Sequence, residues 1–251
     1  MSCQSFIGHT AISRLRGAGL VAAFAAVAIA CHSGDNGAGS NQTRAFDSTV
    51  FSIVPAGDGS GDVYVGGDFT SYNGIAVTRL VRLNADGTVD PAFATRVGFN
   101  GIVRSIAWVG DGSGDVYVGG DFTSYNGIAV TRLVRLNADG TVDPALVTGT
   151  GFTDTVFSIM PTADGSGRLY VGGAFTSYNG TTPANDLVRL NANGTVDLTF
   201  STGTGFNDTV LSIAPPGDRS GDVYAGGQFT SYQSITIGRF VRLNSTASLV
   251  H

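Results

Sequence analysis

The sequence VYVGGDFTSYNG at residues 63–74 returns as VYVGGDFTSYNG at 116–127, LYVGGAFTSYNG at 169–180 and VYAGGQFTSYQS at 223–234. The glycine pairs begin at Gly66, Gly119, Gly172 and Gly226, at spacings of 53, 53 and 54 residues. Residues 57–92 and 110–145 are identical at all 36 positions. A chain written four times over must build the same small structure four times. Each copy lacks the means to bury its apolar residues alone, and periods of about 20–50 residues mark solenoids, propellers or arrays.

Within a unit, short β-prone runs alternate with turns. TVFSIV (49–54) is apolar and β-branched, GDGSG (57–61) is a turn cluster, and DVYVGG (62–67) is a second strand. The polar loop TSYNG (70–74) leads to TRLVRLN (78–84) and the turn Ala85-Asp86-Gly87. Asp-Gly between β-prone runs signals a hairpin, because both central positions need positive φ. TVDPAF (88–93) reads as a short fourth strand. Composition agrees with a fold without helices: there is no Lys and no Glu among the 251 residues, while Gly contributes 37. Gly in a helix interior costs about 1 kcal/mol relative to Ala. Low charge, 13%, beside 42% hydrophobic residues argues against disorder.

These runs, V-x-S-I, D-G-S-G, V-Y-V-G-G-x-F, Y-N-G and R-L-V-R-L-N-A-D-G-T-V-D-P-A-F, resemble the delta-60 repeat, a family of bacterial extracytoplasmic modules. The resemblance implies blades of β-propeller type and an extracytoplasmic setting, with no agreed reaction. The expected fold is all-β, a propeller-type array of four blades of about 53 residues, with units near 49–101, 102–154, 155–208 and 209–251. Unit four departs from the pattern: Ser245-Thr246-Ala247 replaces the Asp-Gly turn, and His251 falls where PAF would begin. A small ring, an open arc and a truncated remnant of a longer repeat protein all stay open. An open arc would leave a strand edge in blade four for self-association. The sequence predicts a compact core over 49–244, with frayed ends at 31–45 and 245–251. Phe69, Ile53 and Leu83 with their copies should be buried, and the 70–79 loops exposed.

The N-terminus reads as an export signal. Arg14 and Arg16 precede AGLVAAFAAVAIA (18–30), thirteen apolar residues, too short for a membrane-spanning helix of about 20. Ala28-Ile29-Ala30-Cys31 resembles a bacterial lipobox, with Ala28 where Leu is usual. After removal of a signal at 1–30, Cys31 would be the sole thiol, and an odd cysteine in an exported chain needs an explanation that lipidation supplies. Residues 31–45 are small and polar, suited to a flexible tether ahead of the repeat domain at 46–251. The expected location is extracytoplasmic, as an outer-membrane or cell-surface lipoprotein held through an N-terminal lipid in preference to a freely secreted protein.

No catalytic residues are assigned. Beyond the signal, histidine occurs only at His32 and His251, so neither a histidine triad nor a zinc site can form within the repeats. Asp58, Asp62, Asp111 and Asp115 are the candidate calcium ligands, yet each loop offers only two or three acids against the six to eight oxygens calcium takes. Turn geometry accounts for them, and no cofactor is expected. Arg82, Arg135, Arg189 and Arg242 suit pairing with Asp90 and its copies. Tyr72, Tyr125, Tyr178 and Tyr232 suit packing, with each hydroxyl on a backbone group. A net charge of −5 excludes nucleic acid as an expected partner.

Departures from the repeat are better candidates for specificity than its copied residues, with neutral drift at loop ends as the alternative. Arg96 stands where units two and three have Gly149 and Gly203; Arg104 replaces Phe51, Phe157 and Leu211; Trp108 replaces Pro55, Pro161 and Pro215. Arg168 takes the place of Asp62, and Asp186 that of Arg79. Trp and Arg are enriched at binding hot spots, and Arg96, Arg104 and Trp108 all fall between units one and two. The functional expectation is a non-enzymatic cell-envelope module presenting loops to a protein or glycan. A hydrolase using the repeated Asp residues and a remnant without function of its own are the alternatives.

Overall fold

The computed structural model describes residues 45–93, 97–180, 184–217 and 220–250. The expected signal, Cys31 and Arg96 lie outside the described residues, as does all of the tether except Ala45. Four three-stranded antiparallel sheets follow one another as blades. Blade one consists of Val50–Pro55, Val63–Gly67 and Leu80–Leu83, and blade two of Val103–Trp108, Val116–Gly120 and Leu133–Leu136. Blade three consists of Val156–Pro161, Leu169–Gly173 and Leu187–Leu190, and blade four of Val210–Ala214, Val223–Gly227 and Phe240–Leu243. In each sheet the middle strand pairs with both others. No helix occurs among the described residues. The fold is all-β with four repeated blades, as the sequence predicts.

The fourth strand expected at 88–93 contracts to one bridge, Leu83 with Val89, recurring as Leu136–Val142, Leu190–Val196 and Leu243–Leu249. A further bridge joins Phe46 to Tyr72, and its copies join Phe99 to Tyr125, Phe152 to Tyr178 and Phe206 to Tyr232. Each of these phenylalanines therefore packs with the blade that follows it. Phe99 lies 4.3 Å from Phe122 and 4.5 Å from Tyr125, ring centre to ring centre, at tilted angles.

The Gly-Gly pair shows why the repeat is written as it is. The first strand bulges between Val50 and Ser52, and again at Val103/Ser105, Val156/Ser158 and Val210/Ser212. The second glycine of each pair lies under that bulge: a side chain at Gly120 would collide with the Ile102 carbonyl oxygen. The first glycine faces the next blade. A Cβ on Gly119 would stand 2.6 Å from Val156 Cγ1 and 2.7 Å from Ile159 Cδ1. Bare backbone here lets the following blade's valine and isoleucine seat flush on the sheet.

The apolar core is accordingly shared between neighbours. Tyr64, Leu80 and Phe93 from unit one cluster with Val103, Ile106 and Val116 of blade two. Tyr117, Leu133 and Leu146 cluster with Val156, Ile159 and Leu169 of blade three, and Tyr170, Leu187 and Phe200 with Val210, Ile213 and Val223 of blade four. Hydrogen bonds repeat the pattern. The amides of Ile106, Ile159 and Ile213 donate to Ser52, Ser105 and Ser158 Oγ of the preceding blades at 3.0, 3.1 and 3.2 Å.

Three expectations are corrected by this arrangement. Phe69 and Leu83 are buried, but Ile53 is 50% exposed, while Ile106, Ile159 and Ile213 are below 10%. Ile53 belongs to the first blade and has no preceding Gly-Gly sheet to cover it. The turn of blade four is not lost either. Ala247 adopts φ 68° in the glycine position, and the Ala247 amide donates to the Asn244 carbonyl at 2.9 Å. The Val250 amide donates to the Arg242 carbonyl at 3.0 Å, so the bridge after the turn persists to the end of the described residues. Within the 70–79 loop, residues 73–76 are exposed as expected, but Tyr72 and Val77 are buried.

The two outer faces remain uncovered: Phe240 is 66% exposed where Leu80, Leu133 and Leu187 are fully buried. A Cβ on Gly226 would meet only its own blade's Arg239 carbonyl oxygen, at 3.8 Å. The four blades therefore form an open arc. The same substitution should behave oppositely at two equivalent positions. Gly119→Ala should cost about 1–3 kcal/mol by overpacking a filled junction, whereas Gly226→Ala should change stability by less than about 0.5 kcal/mol. Urea denaturation of both variants against wild type is the check.

Candidate functional site

The first strands of the four blades stand side by side, and the extra residue in each bulge forms a row: Phe51, Arg104, Phe157 and Leu211. Phe51 and Leu211 are exposed, Arg104 and Phe157 partly so. Arg104 is held from below by Asp121, with Nε 3.2 Å from both carboxylate oxygens and Nη2 2.7 Å from Oδ2. Its guanidinium carbon lies 5.0 Å from the Phe51 ring centre and 5.3 Å from that of Phe157. One cation thus sits between two aromatic faces drawn from the blades on either side. Such contacts are worth about 0.5–2 kcal/mol each, increasing with desolvation. Asp121 fixes the plane of the guanidinium, so the strip is preorganised.

Trp108 lies at the other end of the same strand, four residues and roughly 13 Å along it at about 3.3 Å per residue. Its indole packs on the Gly57 turn of blade one, where a Cβ would meet the ring at 2.5 Å. Arg104 and Trp108 thus stand at opposite ends of one strand and make different contacts. Trp108 secures a turn, and Arg104 anchors the exposed strip.

The repeated acids converge on arginines. Arg82 Nη2 lies 2.6 Å from Asp58 Oδ2 and 2.8 Å from Asp62 Oδ2, and Arg82 Nε lies 3.2 Å from Asp90 Oδ2. Arg135 repeats this with Asp111 at 3.7 Å, Asp115 at 2.9 Å and Asp143 at 2.8 Å. Hydrogen bonds from Ser60, with the Arg82 charge, lower the Asp58 carboxyl to about 2. Burial alone would lower the pKa of Arg82, but the pairing with Asp62 and Asp58 raises it instead. The four acids considered as calcium ligands thus surround guanidinium groups. Among the described residues, no group of three or more His, Cys, Asp or Glu could hold a metal ion. Removing a well-buried member such as Arg82 or Asp62 costs about 3–5 kcal/mol, because the remaining charges lose their partner.

The arginines also tie blades together. Arg189 Nη1 donates to the Ser245 carbonyl of the following blade at 3.0 Å, and the Tyr64 and Tyr170 hydroxyls donate to the Gly114 and Gly221 carbonyls at 2.9 and 3.1 Å. The loop tyrosines instead close their own blades: Tyr72, Tyr125, Tyr178 and Tyr232 donate to the Gly87, Gly140, Gly194 and Ala247 carbonyls at 2.6–3.0 Å.

Asp186 acquires a property that its replacement of an arginine did not disclose. Arg79 and Arg132 reach forward to the Phe99 and Phe152 carbonyls of the next blade, at 2.9 Å each. Asp186 carries no donor for that role when ionised and is buried. Burial, together with the charge of Asp208, pushes its carboxyl up to about 7.

A family model described as "Domain of unknown function (DUF5122) beta-propeller" matches residues 59–93, 112–145 and 165–200, in units one to three. The chain is a β-propeller-type repeat protein. No curated protein matches it. Among solved structures it is similar to the WD40 β-propeller domain of Doa1, at 13% identity and TM-score 0.40, covering 83% of this chain and 69% of that one. A chain of the mitotic checkpoint complex is similar at 16% identity and TM-score 0.41, with 86% and 74% covered.

Asp186 gives a pH prediction. The folded state holds this proton more tightly than the unfolded chain, whose carboxyl titrates near 3.8. The associated stability is fully present below about pH 4 and is lost as pH rises through about 7. Asp186→Asn removes the ionisation. The melting temperature of wild type should fall relative to this variant by a few degrees between pH 5 and pH 8, while parallel profiles would contradict the assignment.

Proposed function

We propose that this protein is a non-enzymatic, extracytoplasmic binding module, tethered to the envelope through a lipid on Cys31, that grips a protein or glycan at the Phe51–Arg104–Phe157 strip. The placement of Arg104 between two aromatic rings carries the reading. It occurs where the other blades have an apolar residue, and it exposes the side-chain types that dominate binding hot spots. Phenyl faces suit the apolar side of a sugar ring or an aliphatic side chain, and the guanidinium adds directional donors. Binding is favoured over hydrolysis because Asp62 and Asp115, the repeated acids, each already hold an arginine.

The purified full chain, applied to an array of bacterial surface glycans and to a panel of envelope proteins, should bind at least one member. Arg104→Ala and Phe157→Ser should each weaken that binding by about tenfold. Binding indifferent to both substitutions would contradict the assignment. So would turnover of aryl glycosides or phosphoesters that Asp62→Asn or Asp115→Asn abolishes.

A further inference from the structure

The two uncovered faces of the arc are complementary halves of a junction that the chain itself builds three times. The leading half is the wall of Val103, Ile106 and Val116, or Val156, Ile159 and Leu169, or Val210, Ile213 and Val223. Its copy in blade one is Val50, Ile53 and Val63, all at least partly exposed. The trailing half is a glycine flanked by Tyr64 and Leu80 in blade one, and by Tyr117 and Leu133 or Tyr170 and Leu187 further on. Its copy in blade four is Gly226 with Tyr224 and Phe240, which stack on each other at 5.2 Å. Beside them a groove of about 410 Å³, lined by Ile237, Phe240, Val241, Arg242 and Leu249 among others, lies open.

The polar groups match as well. At all three interior junctions a serine Oγ accepts from the isoleucine amide of the next blade, and at the first and third a tyrosine hydroxyl donates to a turn carbonyl there. The corresponding groups on the outer faces are Ser212 with Ile53, and Tyr224 with Gly61. Within one chain these faces do not meet, since Ile53 and Phe240 are both exposed.

We propose that the blade-four face of one copy docks on the blade-one face of a second copy, head to tail, in the register of the interior junctions. A second copy is the occupant because each outer face carries the same residues, in the same order, as the half-junctions already buried inside the molecule. Such a contact is heterologous: two different surfaces meet, so copies add in one direction and either close into a ring or extend as a filament.

Sedimentation velocity on the full chain tests this. Wild type should form concentration-dependent oligomers. Ile53→Arg destroys one face and Phe240→Arg the other, so each variant alone should be monomeric, with association weakened at least about tenfold. Mixed, the two should recover a one-to-one dimer, because each retains the face that the other has lost. Circular dichroism should show both folded, as both positions are exposed; Ile53→Thr and Phe240→Ser provide the milder pair should either arginine variant unfold. A wild type monomeric at every concentration, association untouched by either substitution, or a mixture that stays monomeric would each overturn the proposal.

Discussion

The seating of a valine and an isoleucine from one blade on the bare glycine backbone of the blade before it governs the rest of this structure. Blade one keeps a small cluster of its own, Val65, Phe69, Tyr72, Val77, Val81 and Leu83, but the three larger clusters each span two neighbouring blades. Each sheet has one wall of branched side chains and one face of glycine, tyrosine and leucine, and the fold exists because the two surfaces of neighbouring copies fit. Burying each such isoleucine contributes about 1.5–3 kcal/mol, and the serine-to-amide hydrogen bond beside it contributes about 1 kcal/mol more. The Arg82-type clusters add register. A guanidinium gathers the carboxylates of its own turns and, as in Arg189, reaches the next turn as well. Stability in such an array is a sum of nearest-neighbour terms, so the outermost blades are structurally complete but supported from one side only.

That asymmetry separates what could be read from the sequence from what could not. The repeat alone was enough to indicate four like units, their β character and their turns, because β-branched runs and Asp-Gly turns are local signals. The pairing of Arg82 with Asp90 was legible, since eight residues spanning a tight hairpin bring them together. Asp58 and Asp62, 24 and 20 residues away from Arg82, looked like turn formers because nothing local reveals that the middle and third strands deliver them to the same guanidinium. Ile53 was misread for the opposite reason. Its residue type and spacing equal those of Ile106, and only its position at the end of a row exposes it. Ala247 shows that an Asp-Gly turn survives without its glycine when the flanking hydrogen bonds of Asn244 and Val250 hold.

Function follows the same division. Residues copied into every blade are committed to packing: the tyrosine hydroxyls to turn carbonyls, the acids to arginines, the glycines to close approach. Departures are where something other than packing can reside, and the structure sorts them. Trp108 braces a turn, Arg168 joins Arg189 on Asp197 at 3.1 Å, Asp186 holds a proton in a buried site, and Arg104 is presented between aromatic rings. The sequence singled out Arg104 as a departure. Its partner Asp121 and its neighbours Phe51 and Phe157 became visible only when the first strands were placed side by side.

Neighbouring blades supply the stability of this fold, and native-state hydrogen exchange measures that supply blade by blade. In dilute, monomeric protein, the middle-strand amides of Val118 and Val171 should exchange at least about tenfold more slowly than those of Val65 and Ala225, since tenfold corresponds to about 1.4 kcal/mol. Equal protection of all four blades in a strictly monomeric sample would mean that the outer faces are covered within one chain, and would contradict the open arc.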